Sequence, residues 1–377
     1  MSTQHGGTVT LKPISEVAKF QKNLIPANIP ETYALKPMFK KVANEENIRG
    51  GVIAFRDFLC LFCDRLISDG HLFAKSPKNP ASMADYPFLY NITNLLVDIG
   101  YHGKLAKKGC LLIANLPLCT ATIDEKGKKK SPKIPFSSLI ECLRFLTLCG
   151  FVFTGIDLEA KTLNISEKNL LEVSYPNNPI LLTGLKALSI ADIELRTTRK
   201  GWNDNNLLRC DYRPMKAHDT DILEVVKDFL HPLSTKIQKF AVKLHQRYTD
   251  MGMTCSMRIL GDVNFAYAFI NKSSKVLSPT DIYSQSVWQF SYSIRFGYCL
   301  VMRAKKTDEY ADVIKNFSLS LRKMIARGYG CDRKLRNEPC QQGCQGIRIP
   351  LDDSFIDLSS DIEIWLDNEV SCLRKNK

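Results

Sequence analysis

Three apolar helical faces in the first half of the chain each run into a glycine and then into a strand-like stretch, and this order constrains the fold more than any other feature. Phe55, Phe58, Leu59, Phe62 and Leu66 recur at helical spacing ahead of Gly70 in LISDGHLFAKS. Ile92, Leu95, Leu96 and Ile99 do so ahead of Gly100 in LLVDIGYHGKL, and Phe136, Leu139, Ile140 and Leu143 ahead of Gly150 in LTLCGFVFTGI. Amphipathic helices that alternate with short strands bury their apolar sides only as packed layers, so the predicted class is α+β. The units are unequally spaced, which excludes a regular repeat array. In the third unit, Phe151–Ile156 and Leu171–Tyr175 are expected to pair as a hairpin, and Asn178 or Pro179 opens a further helix through Leu185 and Ile190.

Over residues 36–200 the order of helix, glycine and strand resembles winged-helix domains, whose recognition helix often ends at a glycine before the hairpin wing. The plainer alternative is an α+β domain whose helices end at glycine for ordinary capping reasons. The resemblance implies nucleic-acid binding, and it gives three basic clusters a role. They are Lys104, Lys107 and Lys108; Lys126, Lys128, Lys129 and Lys130; and Arg196, Arg199 and Lys200. On wings or loops these side chains would contact phosphates, with Tyr101 and Trp202 nearby to stack or insert. Any one cluster alone reads as a solvated loop. Three in one domain, in a chain of net charge +13, point to an anionic partner.

Residues 1–35, with Pro13, Pro26 and Pro30, read as an extended or poorly ordered arm. The polar stretch Arg196–Asn206 reads as the boundary to a second domain, residues 207–377, with Leu207–Tyr212 as its first strand. That domain is expected to be layered α+β, a small antiparallel sheet with helices on one side. Helices are predicted over Asp221–Leu230, from Ser234 to Gly252, and from Thr307 through Ile325. A last helix is expected near Ser360, which has a capping-box spacing to Glu363. Met253–Ile259, Phe265–Phe269 and Tyr298–Met302 read as strands, as does Gly346–Leu351. The stretch after Ser278-Pro279 fits a helix through Tyr283, Val287 and Phe290, yet alternates like a strand through Trp288, Phe290 and Tyr292.

The stretch Gly328–Asp353 most resembles a site. Cys331, Cys340 and Cys344 lie there among Gly, Pro and Gln. Three soft ligands in a turn-rich loop suit zinc, with Cys255 or Cys299 as the fourth; a redox site and a set of packed thiols are the alternatives. Cys60 and Cys63 instead sit on an apolar helix and read as core. The six histidines show no ligand spacing. Asp352-Asp353 point apart on a strand and read as turn or helix-entry residues. No phosphate loop, nucleophile elbow or paired-histidine zinc motif occurs, which lowers the expectation of an enzyme. No run of eighteen apolar residues exists to span a membrane, the N-terminus lacks an apolar leader, and thirteen cysteines without framework spacing suit a reducing cytoplasm. The leading expectation is a cytoplasmic nucleic-acid-binding regulatory protein whose C-terminal domain responds to a ligand, a metal or redox state. Its rivals are an enzyme or small-molecule binder, and an interaction scaffold without chemistry.

Overall fold

The computed structural model describes residues 12–75, 86–117, 119, 122–123, 129–130, 132–159, 165–198, 207–260, 262–270, 279–327 and 346–375. The chain divides into two compact units, Met1–Thr220 and Asp221–Lys377. Both mix helices with antiparallel sheet, which makes the protein α+β.

The first unit holds helices α1 (Ile14–Lys22), α2 (Glu45–Asp69), α3 (Pro87–His102), α4 (Phe136–Leu148) and α5 (Leu181–Thr198). Its strands are β1 (Lys104–Leu105), β2 (Leu111–Ile113), β3 (Thr122–Ile123), β4 (Lys129–Lys130), β5 (Val152–Thr154) and β6 (Leu171–Ser174). β1-β2-β6-β5 form one antiparallel sheet in that order, and β3 and β4 a separate two-stranded ribbon. Asn44 caps α2, its side chain accepting from Asn47 N at 2.8 Å, and Glu45 and Glu46 sit where the helix dipole favours acids. α2 meets α5 at Gly51 and Gly184, where a methyl on Gly184 would lie 2.0 Å from the Gly51 carbonyl oxygen. The two backbones therefore touch, which only glycine permits. The core between helices and sheet is aromatic: Phe58 meets Phe151 and Tyr175 edge-on, and Phe62 meets Phe145 the same way.

Several expectations change here. Part of the supposed arm is helix α1, whose Ile14, Val17, Ala18 and Phe20 are buried; Pro13 stands at its entry, where the missing N–H costs nothing. Beyond α1 the chain is tied down by Arg56, which donates to the carbonyls of Pro26 and Ala27, and by Arg49, which donates to that of Tyr33. Among the described residues up to Lys75 no strand follows α2, because Gly70–Leu72 continue it as a 3-10 turn. α3 runs past Gly100 to His102. The third unit keeps its predicted order: Gly150, at φ +99°, turns the chain out of α4, and β5 pairs with β6. The expected strand at Leu207–Tyr212 is a 3-10 turn, Leu207–Arg209, within the first unit.

The second unit contains α6 (Ile222–Leu230), α7 (Thr235–Asp250), β7 (Thr254–Leu260), β8 (Asp262–Ala268), α8 (Pro279–Gln285), β9 (Trp288–Ser293) and β10 (Gly297–Met302). It continues through α9 (Ala311–Lys315), α10 (Leu319–Arg327), β11 (Ile347–Pro350) and α11 (Phe355–Lys375). Its five strands form an antiparallel sheet, β11-β10-β9-β8-β7. One face is an aromatic core. Tyr267 and Trp288 stack at 3.7 Å, Phe229 of α6 packs on Phe265 and Tyr298, and Tyr248 of α7 packs on Trp288. The other face is not bare: Ile282 of α8 packs on Ala266 and Ala268, which alternate with Phe265 and Tyr267. Helices therefore cover both sides, not one. The ambiguous stretch after Pro279 is helix and then strand, split between Gln285 and Trp288.

Two further helices differ from expectation. The helix predicted through Ile325 breaks between Lys315 and Leu319, where Ser318 N donates to the Asp361 carboxylate of α11 at 2.8 Å. The last helix starts at Phe355, ahead of the Ser360 capping box; Asp352, accepting from Ser354 N at 3.0 Å, turns the chain into it. A buried carboxylate fixes the link after β10. Glu369 of α11 accepts from the backbone N–H groups of Lys305 and Lys306 and from the Tyr310 hydroxyl. Among the described residues no helix is long and apolar enough to cross a membrane.

Candidate nucleic-acid interface

The best-defined basic element is the β1–β2 hairpin. Leu111 and Ile113 anchor it, fully buried and paired with Val173 and Leu171 of β6. Its tip is closed by Ala106 N donating to Cys110 O at 2.9 Å and Gly109 N to Ala106 O at 3.0 Å, with Gly109 at φ +71°. That conformation suits glycine and leaves Lys107 and Lys108 at the turn. Where α3 passes into β1, the Lys186 ammonium donates to Gly103 O at 2.6 Å, with Gly100 O and Tyr101 O at 3.4 and 3.3 Å. A cation on the carbonyls that end a helix offsets the dipole and fixes the junction. Burial lowers the Lys186 pKa from its ordinary value. Lys104, Lys107 and Lys108 are exposed, and none has an acidic partner among the described residues.

The second cluster is described in part. Lys129 and Lys130 form β4, opposite Ile123 and Thr122 of β3. Lys126 and Lys128 lie outside the described residues, as do Arg199 and Lys200 of the third cluster. Arg196 is in the last turns of α5. Tyr101, 40% exposed, stands beside the first cluster, and Trp202 lies outside the described residues.

Of the helices expected to face a partner, α3 is enclosed: every residue from Ile92 to Gly100 is buried. It is a core helix. α4 has a free side, with Ser137, Arg144, Thr147 and Leu148 exposed.

Cys331, Cys340 and Cys344 lie outside the described residues, which resume at Gly346 ahead of β11. Cys255 is on β7, the sheet edge opposite β11, and Cys299 stands across from Pro350, at the far end of β11 from Ile347. Burial pushes both thiols up, Cys299 to about 11 and Cys255 to about 12, against the thiolate a metal requires. Cys63 is buried and Cys60 half-buried on α2. Among the described residues no group of three or more His, Cys, Asp or Glu is placed to hold a metal.

The sequence reading missed the second face of the five-stranded sheet. Arg258, Asn264, Ser291 and Cys299 form one row across β7, β8, β9 and β10. Ser256, Ala266, Gln289, Val301 and Arg348 form the next, reaching β11. This wall is polar yet covered: Asn264, Gln289 and Ser291 are 3%, 1% and 8% exposed. The signal in sequence was WQFSYS, aromatic and polar by turns, whose polar members would ordinarily face water.

These elements define a two-unit α+β protein with a basic hairpin in one unit and an arginine-bearing sheet wall in the other. Compared with protein-family models, curated proteins and solved structures, the chain matches none.

Proposed function

We propose that this protein binds nucleic acid through its first unit and that the second unit responds to a ligand, metal or redox signal. The β1–β2 hairpin carries the proposal: three exposed lysines, without acidic partners among the described residues, stand on a hairpin whose base is buried and whose entry is pinned by Lys186. Lysines held this way meet phosphates at small entropic cost, and each phosphate contact releases condensed counterions. The winged-helix reading belongs to this proposal. It rests on α4, the Gly150 turn and the β5–β6 hairpin, because α4 alone of the candidate helices combines that order with a free side. Zinc at Cys331, Cys340 and Cys344 stays a proposal for the second unit on its sequence signal. A cytoplasmic location is proposed on the described cysteines, which are all free thiols.

The test is a duplex-binding titration over a range of salt. Affinity should fall steeply with salt, and Lys107→Ala with Lys108→Ala should flatten the slope by up to about 2 units of log affinity per log salt. Absence of binding at low salt removes the proposal and favours the small-molecule or scaffold reading.

A further inference from the structure

What stands beside the lysine hairpin decides which form of nucleic acid suits it. Helix α3 leads into the hairpin but is enclosed, so it offers no free side to a major groove. The ribbon itself is short: β1 has two residues and β2 three, and Leu111 and Ile113 are spent on the core. What the junction does expose is an aromatic ring. Tyr101, in the last turn of α3, is 40% exposed, and its hydroxyl has no hydrogen-bond partner among the described residues.

The backbone beneath this ring is fixed. The Tyr101 carbonyl accepts from the Lys186 ammonium at 3.3 Å, and Gly103 N closes the helix on Ile99 O at 2.9 Å. The His102 ring meets that of Tyr101 at 5.1 Å and 83°, an edge contact that leaves at least one face of the phenol uncovered by the imidazole. Of the acidic groups near the junction, Asp98 is buried and lies 3.7 Å from His102 Nε2, and Glu172 stands in the row of Lys104 but two strands away, with Leu112 between them. Lys104 follows Tyr101 by three residues, at most about 11 Å along the chain, so its ammonium reaches the phosphate of a nucleotide whose base lies on the ring. Bases in a duplex stack on one another and meet a protein ring only after costly unstacking, whereas a single strand offers its base faces freely.

We propose that this junction binds single-stranded nucleic acid, with one base stacked on Tyr101 and neighbouring phosphates on Lys104, Lys107 and Lys108. The inference rests on the nucleic-acid reading of the hairpin and is independent of the winged-helix reading of α4.

Full-length protein is titrated into fluorescein-labelled oligothymidylate, oligouridylate, an abasic strand and a mixed-sequence duplex, all of one length and at one salt concentration. The tighter of the two base-bearing strands should outbind the duplex, and should outbind the abasic strand at least about fivefold, the yield of one stacked base. Preference for uridylate identifies RNA, and preference for thymidylate identifies DNA. Tyr101→Ala, checked for a native near-ultraviolet spectrum, should weaken the base-bearing strands by a similar factor and leave the duplex and the abasic strand unchanged. Tyr101→Phe, which keeps the ring, should bind like the wild type. The abasic comparison provides the test if Tyr101→Ala fails to fold. No binding of any strand or of the duplex at low salt overturns the nucleic-acid reading and this inference together. Duplex binding that exceeds that of both base-bearing strands, an abasic strand bound as tightly as they are, or unchanged affinity in folded Tyr101→Ala overturns this inference alone.

Discussion

His245 shows how a single side chain ties stability to pH. It is buried on α7 under the sheet, and its Nδ1 lies 2.8 Å from the Tyr267 hydroxyl. Burial also pushes the Tyr267 hydroxyl up, so it stays protonated, and the tautomer of the ring sets which of the two groups donates. Burial lowers the histidine pKa; the charges of Asp221 and Asp250 oppose this without overcoming it. A folded pKa below the unfolded one means that the folded state resists protonation. The contribution is therefore full above about pH 6.5 and is lost as pH falls from there through the folded value, at about 1.4 kcal/mol per unit of depression. Chemical denaturation between about pH 7.5 and 5 should show this loss, and His245→Gln should flatten it. An unchanged acid limb in the variant would show that other groups set it. From sequence this histidine had no assignable role, because its partner is on β8 and is brought to it only by the fold.

At the scale of elements, the α2–α5 crossing depends on backbone contact. Gly184→Ala would place a methyl 2.0 Å from Gly51 O and 2.5 Å from Val52 N, neither of which can rotate away. The helices must separate, and the loss of their packing should destabilise the first unit by about 2–4 kcal/mol, read as a shift in the urea midpoint at unchanged slope. A variant of wild-type stability would mean that the helices slide at no cost. Elements with a long, unbroken period were legible in sequence. Of the α7 face read from Ile237, Phe240, Ala241, Leu244 and Tyr248, all are buried but Phe240, which is half-buried, and Cys255, Met257 and Ile259 alternate along β7. The shorter elements were not. α8 and β9 divide a stretch that satisfies both periods, and α9 and α10 separate because Asp361, far along the chain, takes the Ser318 N–H.

For the whole molecule, the two units each have an internal core, the first around Phe58, Phe145 and Phe151 and the second around Tyr267, Trp288 and Phe290. Residues 221–377 expressed alone should therefore fold, with a cooperative thermal transition and a native near-ultraviolet signal from Trp288 and Trp365. A fragment without tertiary signal would make its core dependent on the first unit.

The sequence by itself determined the mixed class, the helix faces of α2 and α4, most of the face of α7, and the β5–β6 hairpin, because periodicity and turn chemistry act between residues a few positions apart. Tertiary structure decided the rest. It made Ile14–Lys22 a packed helix and enclosed α3. It also covered the Asn264, Gln289 and Ser291 wall, whose two edge strands carry Arg258 and Arg348. An alternating strand specifies two faces, but what covers each face depends on strand order and on the elements packed against it. Those contacts join residues far apart in the chain, so no local pattern encodes them.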